Sequence, residues 1–229
     1  MTHYAEELSQ LKDSLLAMAS HAESAVTRAM RALVERDEGL ARAVQDDDST
    51  LDRLEVEIDD TAIHLLAKAP LATDLRLITV AMKISQNLER VGDEAVTISR
   101  RVIELNAEPQ LKPYVDLPRM ATMSLEMLRD AITAFINRDP ERARGVVPRD
   151  RDVDDLNRQL HRELSSYMVE RPTTITRCLH LMVISKAIER IADHATNVAE
   201  EVVYLYEAKD IRHSELKHST TNETEDPGR

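Results

Sequence analysis

The sequence is poor in the residues that β-sheets and disulfide frameworks require. Its 229 residues include one cysteine, Cys178, no tryptophan, one phenylalanine and four glycines. A single cysteine excludes an internal disulfide framework and is typical of proteins in a reducing compartment. The shortage of aromatic residues and glycine disfavours a sheet protein, because strands favour aromatic side chains and tight turns favour glycine.

The glycines are also too far apart for a nucleotide-binding loop. They stand at positions 39, 92, 145 and 228, whereas the Walker A and Rossmann motifs need clustered glycines to bring backbone N–H groups onto phosphate. No run of about 18 apolar residues occurs, so the sequence predicts no membrane-spanning helix. The start, MTHYAEELSQ, is polar and acidic and does not fit a signal peptide.

Positive charge is in short supply as well. Lys and Arg together number 30 against 42 Asp and Glu, which gives a formal net charge of −12. Nucleic-acid binding depends on Lys and Arg neutralising phosphates, so the balance argues against a nucleic-acid partner. It also disfavours direct binding to an anionic membrane surface. We expect any membrane association to run through partner proteins only.

What the sequence has in abundance is helical apolar periodicity. Its first segment carries apolar residues at alternating spacings of three and four, which form one stripe and indicate the seam of a helix bundle. Further seams run through residues 44–65, 84–102 and 184–202. Asp37 is a typical helix N-cap, and Asp139 followed by Pro and Glu is another. The residues of the first seam are Leu8, Leu11, Leu15, Met18, Ala22, Ala25, Ala29 and Ala32.

The second half of the chain repeats the first, at an offset of 102 and later 100 residues. The segment KISQNLERVGDEA, for example, matches VISKAIERIADHA. The repeat predicts an all-α fold of six long helices, formed by tandem duplication of a three-helix hairpin and suited to a helix bundle. The bundles are expected at 1–108 and 119–212, with a proline-marked linker at 109–118. Residues 213–229 lack apolar periodicity and are expected to form a disordered tail.

Pairs of carboxylates recur at equivalent places in the two halves. Each pair has the spacing i, i+4, which puts both groups on one helix face, where they repel by a few tenths of a kcal/mol. A cation between two such pairs would remove the repulsion, and carboxylate oxygens suit Fe, Mn, Mg or Ca. The pairs are Asp48 with Asp52 and Glu89 with Asp93 in the first half, and Asp150 with Asp154 and Glu189 with Asp193 in the second.

These carboxylates fall outside the apolar seam, so we expect any metal site to lie on the bundle surface and open to solvent. The alternative is an ordinary solvated acidic face, with Arg90 and Arg190 as structural ion-pair partners. His194 follows Asp193 and either adds a nitrogen ligand to the second site or packs as an ordinary helix histidine. Cys178 is predicted to be a small buried hydrophobe rather than a nucleophile.

The sequence resembles the PhoU family from about Tyr4 to Asp210. The most specific segments are PLATDLRLITVAMKISQNLERVGDEAV and LMVISKAIERIADHATNVAEEV. The resemblance implies two three-helix bundles related by pseudo-symmetry, in agreement with the repeat. It also implies multinuclear metal clusters on the bundle surface, with iron as the first candidate and Mn, Mg, Zn or Ca as alternatives. The ligands would be the eight carboxylates above and His194.

The resemblance further implies a cytoplasmic adaptor that is not an enzyme and forms a homodimer. Such a protein would signal between the ATPase subunit of a phosphate ABC transporter and a sensor histidine kinase. It would restrain uptake and the phosphate-starvation response when phosphate is plentiful. Arg76, Arg90 and Arg190 are candidate contacts for these partners. Two alternatives remain open: a surface-carboxylate metalloprotein that hydrolyses phosphoesters, and a purely structural bundle.

Overall fold

The structure is a computed structural model that describes residues 3–68, 71–209 and 211. Within these ranges the chain is helical and contains no strand, so the all-α prediction is confirmed. None of the helices in the described ranges combines the length and apolarity that crossing a bilayer requires. The helices are α1 (His3–Glu35), α2 (Glu38–Asp46), α3 (Ser49–Leu66), α4 (Ala72–Asn106), α5 (Asp116–Asn137), α6 (Pro140–Val146), α7 (Asp150–Glu170) and α8 (Ile175–Glu207).

Six helices result when α2 is counted with α3 and α6 with α7, because the second helix of each half is interrupted. The predicted N-caps are confirmed: Asp37 accepts a hydrogen bond from the Leu40 N–H at 2.9 Å and Asp139 accepts one from the Arg142 N–H at 3.0 Å. The break before α7 is a 3₁₀ turn that contains Pro148, whose missing N–H disfavours a continuous helix. The seam pattern alone did not reveal these breaks.

The connection between α4 and α5 comprises residues 107–115, whereas the predicted linker is 109–118. Helix α5 begins at Asp116, so Pro118 lies in its first turn, where backbone N–H groups have no intrahelical partner and proline is tolerated. The predicted tail, 213–229, lies outside the described residues.

Helices α4 and α8 form the centre of the molecule. Lys83 pairs with Glu201 at 3.0 Å, and Arg190 pairs with Glu94 at 3.2 Å, so the two helices run antiparallel. Helices α1 and α3 pack on α4, and α5 and α7 pack on α8. Cys178 is fully buried and free, as expected of a small hydrophobe. The two halves thus share a continuous core along the central helix pair.

Helices α1 and α5 both end on an arginine in the left-handed conformation. Arg36 has a φ of 57° and Arg138 a φ of 56°, and the two positions are related by the internal repeat. The Arg36 guanidinium donates to the carbonyls of Asn106 at 3.1 Å and Glu108 at 2.7 Å. It therefore fastens the end of α1 to the end of α4.

Gly92 allows α3 and α4 to approach closely. A Cβ at Gly92 would lie 2.3 Å from Leu51 Cδ1. In the second half, Ala192 replaces Gly92 and Val153 replaces Leu51. The side chain on α8 is therefore one carbon larger than its counterpart on α4, and the side chain on α7 is one carbon smaller than its counterpart on α3. We expect Gly92→Ala to lower the free energy of unfolding by about 1 kcal/mol, because a buried leucine methyl must move. Adding Leu51→Val should recover most of the loss in urea unfolding.

Gly145 supplies a matched control for this experiment. It lies in α6, and no heavy atom comes within 4 Å of a Cβ built there. Gly145→Ala should therefore leave stability unchanged or raise it by up to about 1 kcal/mol, as expected for a helical glycine. A Gly92→Ala/Leu51→Val protein no more stable than Gly92→Ala alone would contradict the packing explanation.

Candidate functional site

Helices α3 and α7 place carboxylates against α4 and α8 at equivalent points of the two halves. Asp48 occupies the N-cap position of α3 but has helical backbone angles and makes no side-chain capping bond. Asp150 is the first residue of α7. Because a helix N-terminus favours negative charge, both positions are suitable for a carboxylate.

The first carboxylate cluster joins α3 and α4 and consists of Asp48, Asp52, Glu55, Glu89 and Asp93. Burial, followed by the charges of Asp93, Glu55 and Asp52 and a hydrogen bond with Asp93, raises the pKa of Glu89 to about 7. The same combination of burial and neighbouring carboxylates, Asp52 first and then Asp93, raises the pKa of Asp48. A pKa of about 7 places the titration of the Glu89 carboxyl group near neutral pH.

The second carboxylate cluster joins α7 and α8 and consists of Asp150, Asp154, Glu189 and Asp193. Burial and then the charge of Asp193 raise the pKa of Asp150 to about 6. Burial and then the charge of Glu189 raise the pKa of Asp193 to about 6. Lys186 forms an ion pair with Glu189 and offsets part of the repulsion. The first half has Gln86 at the position equivalent to Lys186, so its cluster lacks that cation.

Sequence reasoning missed Glu55. Burial and then the charges of Asp59 and Asp52 raise the pKa of Glu55, and Asp93 contributes as well. The spacing was legible in the sequence: positions 48, 52, 55 and 59 follow one another at four, three and four residues, which places all of them on one face of α3. In the second half the counterpart of Glu55 is the amide Asn157, whose Oδ1 accepts a hydrogen bond from Ser185.

A histidine that sequence reasoning also missed stands on the carboxylate face of α7. His161 occupies the position equivalent to Asp59. His161 Nε2 and Asp59 Oδ1 are both buried, and neither has a hydrogen-bond partner within the described part of the chain. Each half therefore carries an unpaired polar atom at this position, a nitrogen in one and an oxygen in the other.

The structure does not bring His194 together with the α7 carboxylates. Its Nδ1 lies 3.0 Å from Asn87 Oδ1 on α4. Burial and then the charges of Arg90 and Arg190 lower the pKa of His194 and favour its neutral form. His194 thus faces α4, whereas its neighbour Asp193 faces α7, and its role as a metal ligand stays a prediction.

The clusters are less open to solvent than the seam pattern predicted. Asp52 and Asp93 are exposed, whereas Asp48, Glu89, Asp150, Asp154 and Asp193 are half-buried. Glu189 is only 8% exposed. The carboxylates lie at the edges of the contacts between adjacent helices, where they are partly buried. This partial burial strengthens the electrostatic repulsion among them.

A groove of about 670 Å³ runs between the two clusters along the α4–α8 contact. Asp93 of the first cluster and Asp193 of the second both line it. Within it, Arg190 bonds to Glu94, and the repeat places His194 where the first half has Glu94. The groove therefore connects the two clusters across one face of the molecule.

The carboxylates fit a cation in charge and in ligand type. Asp150 Oδ1 is buried and has no hydrogen-bond partner among the described residues, and such an oxygen is stabilised by an added cation or donor. As the side chains stand, no three His, Cys, Asp or Glu residues of the described ranges converge on one point that could hold a metal ion. Rotation of side chains about their χ angles would have to complete any coordination shell.

Comparison with known proteins gives consistent matches over both halves of the chain. The PhoU domain model matches twice, over residues 15–102 and 117–202. The phosphate-specific transport system accessory protein PhoU homolog of Pseudomonas putida is 39% identical over 216 residues, which cover 93% of this chain and 84% of that protein. The homolog of the same name from Aquifex aeolicus is 41% identical over 213 residues, covering 93% and 96%.

Two crystal structures share the fold. PhoU from Pseudomonas aeruginosa superposes with a TM-score of 0.87 at 36% identity, covering 90% of this chain and 100% of that chain. The phosphate transport system regulatory protein PhoU from Streptococcus pneumoniae superposes with a TM-score of 0.86 at 28% identity, covering 91% and 99%. The similarity therefore extends to the whole two-bundle arrangement.

Proposed function

The chain belongs to the PhoU family, and on that premise we propose that it is an accessory protein of a phosphate transport system that restrains the phosphate-starvation response. The relatives of nearly equal length carry the name of such an accessory protein, and one structural neighbour is named a regulatory protein of that system. The protein would act on the cytoplasmic side as an adaptor, without turnover of its own.

The proposed partners are the ATPase subunit of a phosphate ABC transporter and a sensor histidine kinase. An adaptor changes a kinase's output only by binding one of its states more tightly than another. A tenfold preference shifts the equilibrium by about 1.4 kcal/mol. A homodimer would present two such binding faces and couple one transporter complex to one kinase dimer.

The two carboxylate clusters are the proposed metal centres of this adaptor. Asp48, Asp52, Glu89 and Asp93 would hold the first, with Glu55 as an added ligand, and Asp150, Asp154, Glu189 and Asp193 the second. Bound iron, or Mn, Mg, Zn or Ca in its place, would neutralise the carboxylates and cross-link α3 to α4 and α7 to α8.

The observation that carries this proposal is the shared groove. One carboxylate of each cluster lines it, so a metal in either cluster changes the charge of the same face. A partner that docks there would therefore sense both centres.

A reporter strain tests the regulatory role. Deleting the gene should switch on a phosphate-starvation reporter in phosphate-rich medium, and the full chain should silence it again. A variant with Glu89→Ala, Asp93→Ala, Glu189→Ala and Asp193→Ala should fail to silence it if the clusters take part in signalling.

The matched control is Glu57→Gln with Asp60→Asn, two exposed acidic residues of α3 that lie outside the cluster. This protein should silence the reporter as the unaltered chain does. A reporter that stays off in the deletion strain would overturn the regulatory role. If the four-alanine variant silences the reporter, the adaptor role stands but the carboxylate clusters take no part in it.

A further inference from the structure

A second concave site lies away from the carboxylate clusters, where the ends of the two halves meet. It is a pocket of about 420 Å³ between the first half of α1, the first turns of α4 and the ends of α5 and α8. Three cationic side chains, Lys12, Arg76 and Arg138, line it together with one carboxylate, Asp74. The local formal charge is therefore positive on a chain whose net charge is −12.

Among the residues that the structure describes, the three cations of this pocket have no ion-pair partner. Arg129 and Arg144, among other arginines, pair with carboxylates of a different helix. Within residues 3–68, 71–209 and 211, by contrast, Lys12, Arg76 and Arg138 pair with none. Burial and then the charge of Arg138 lower the pKa of Lys12, with Asp74 acting in the opposite direction. Lys12 and Arg138 therefore repel each other, and a bound anion would offset this repulsion.

Two of the three cations of the basic pocket have no cationic counterpart in the internal repeat. The repeat places Tyr114 at the position equivalent to Lys12 and Thr176 at the position equivalent to Arg76. Both cations are therefore replaced by neutral hydroxyl side chains in the other half.

Arg138 shows the same divergence in its contacts. Its counterpart Arg36 donates to the carbonyls of Asn106 and Glu108 at the end of α4. Arg138 has the same left-handed backbone but lines the pocket beside Leu205 and Tyr206 at the end of α8. None of the hydrogen bonds found for the described residues involves its guanidinium, which leaves that group available to a ligand.

We propose that Lys12, Arg76 and Arg138 form a binding site for a protonated phosphate group, with Asp74 as the residue that selects it. Guanidinium groups bind phosphate oxygens through paired, charge-assisted hydrogen bonds. Leu8, Leu77 and Leu205 supply an apolar wall, which strengthens such bonds by lowering the local dielectric. This site is independent of the carboxylate clusters and of the adaptor role.

Asp74 explains why the site prefers phosphate to other oxyanions. An ionised carboxylate can only accept hydrogen bonds. Monohydrogen phosphate carries an O–H that can donate to it, whereas sulfate has no proton at neutral pH and would be repelled. The pocket should therefore bind phosphate and discriminate against sulfate.

Calorimetric titration of the chelator-treated full chain at pH 6 with inorganic phosphate, AMP and sulfate tests the site, because at that pH about half of the AMP phosphate keeps an O–H. Chelation removes metal ions that could bind phosphate elsewhere. Phosphate should bind at least tenfold more tightly than sulfate, and Arg76→Gln and Arg138→Gln should each weaken phosphate binding about tenfold or more, the loss expected for one charged hydrogen bond. Asp74→Asn should abolish the preference over sulfate.

Comparison of the titrations with inorganic phosphate and with AMP identifies the source of the bound phosphate group. Tighter binding of inorganic phosphate than of AMP indicates free phosphate, and tighter binding of AMP indicates a phosphate carried on an organic molecule. Arg119→Gln is the matched control, because Arg119 is exposed at the opposite end of α5 and should not affect binding. Two results would overturn the proposal. One is the absence of binding heat with phosphate or AMP at about 10 mM, which is well above a Kd of about 1 mM. The other is an unchanged affinity for phosphate in both arginine variants.

Discussion

Mn²⁺ is expected to raise the unfolding temperature of the chelator-treated protein by roughly 5–10 °C. A ligand at a hundred times its Kd stabilises the folded state by about 2.7 kcal/mol, and in proteins of about 150–250 residues each kcal/mol is worth about 2–4 °C. Burial, followed by repulsion from neighbouring carboxylates, raises the pKa of Glu89 to about 7, and a bound cation would remove the repulsive part of this cost. Thermal unfolding with and without Mn²⁺ measures the effect directly.

Two paired variants divide this stabilisation between the clusters. Glu89→Gln with Asp93→Asn should abolish the share of the first cluster, and Glu189→Gln with Asp193→Asn the share of the second. Combining them should remove the Mn²⁺ shift altogether, while the metal-free protein should become more stable because like charges have been removed.

The exposed pair Glu57→Gln with Asp60→Asn again serves as control and should keep the full Mn²⁺ shift. A shift that persists in the combined cluster variant would mean that Mn²⁺ binds elsewhere. In that case the carboxylates form only a charged surface, and the proposal of metal centres fails.

The helical plan was predictable because it depends on local periodicity. The seam through Leu11, Leu15 and Met18 is fully or nearly fully buried, as its spacing required. The internal repeat added the six-helix architecture. The interruption of the second helix could not be predicted from the apolar spacing, because that spacing continues from Val44 to Leu51 across the break at Asp47.

The carboxylate clusters were partly predictable for the same reason. An i, i+4 spacing fixes two groups on one face, and the repeat located the equivalent pairs. Spacing on a single helix does not say which neighbouring helix that face meets, so the contact of His194 with Asn87 could not be predicted. The basic pocket was harder still, because Lys12, Asp74 and Arg138 come from three different helices.

Lowering the pH from about 8 to about 5 is expected to stabilise the metal-free protein, the reverse of ordinary acid denaturation. The folded pKa of Glu89 is about 7 against 4.5 in the unfolded chain, and Asp150 and Asp193 stand at about 6 against 3.8. Between about pH 4 and 7 the folded state thus binds more protons than the unfolded state, so its stability rises as pH falls. Above pH 7 the ionised carboxyl groups lower the stability of the folded state by their full amount.

His194 works in the opposite direction within this window. Its pKa is lowered by burial and by Arg90 and Arg190, so protons favour the unfolded state as pH falls through about 6.5, the value for a free histidine. The contribution of Glu89 is therefore measured as the difference between the unaltered chain and Glu89→Gln, from which the histidine effect cancels.

Glu89→Gln should raise the urea midpoint at pH 8 and reduce the gain on going to pH 5. Glu89 is partly open to solvent, so its contribution is on the order of 1 kcal/mol after allowance for screening. Glu57→Gln should leave the pH profile unchanged. A profile for Glu89→Gln that runs parallel to that of the unaltered chain would show that the carboxylates of the first cluster do not repel one another in the folded protein. Saturating Mn²⁺ should flatten the profile of the unaltered chain from pH 8 to 6, because a metal ion and a proton compete for the same oxygens.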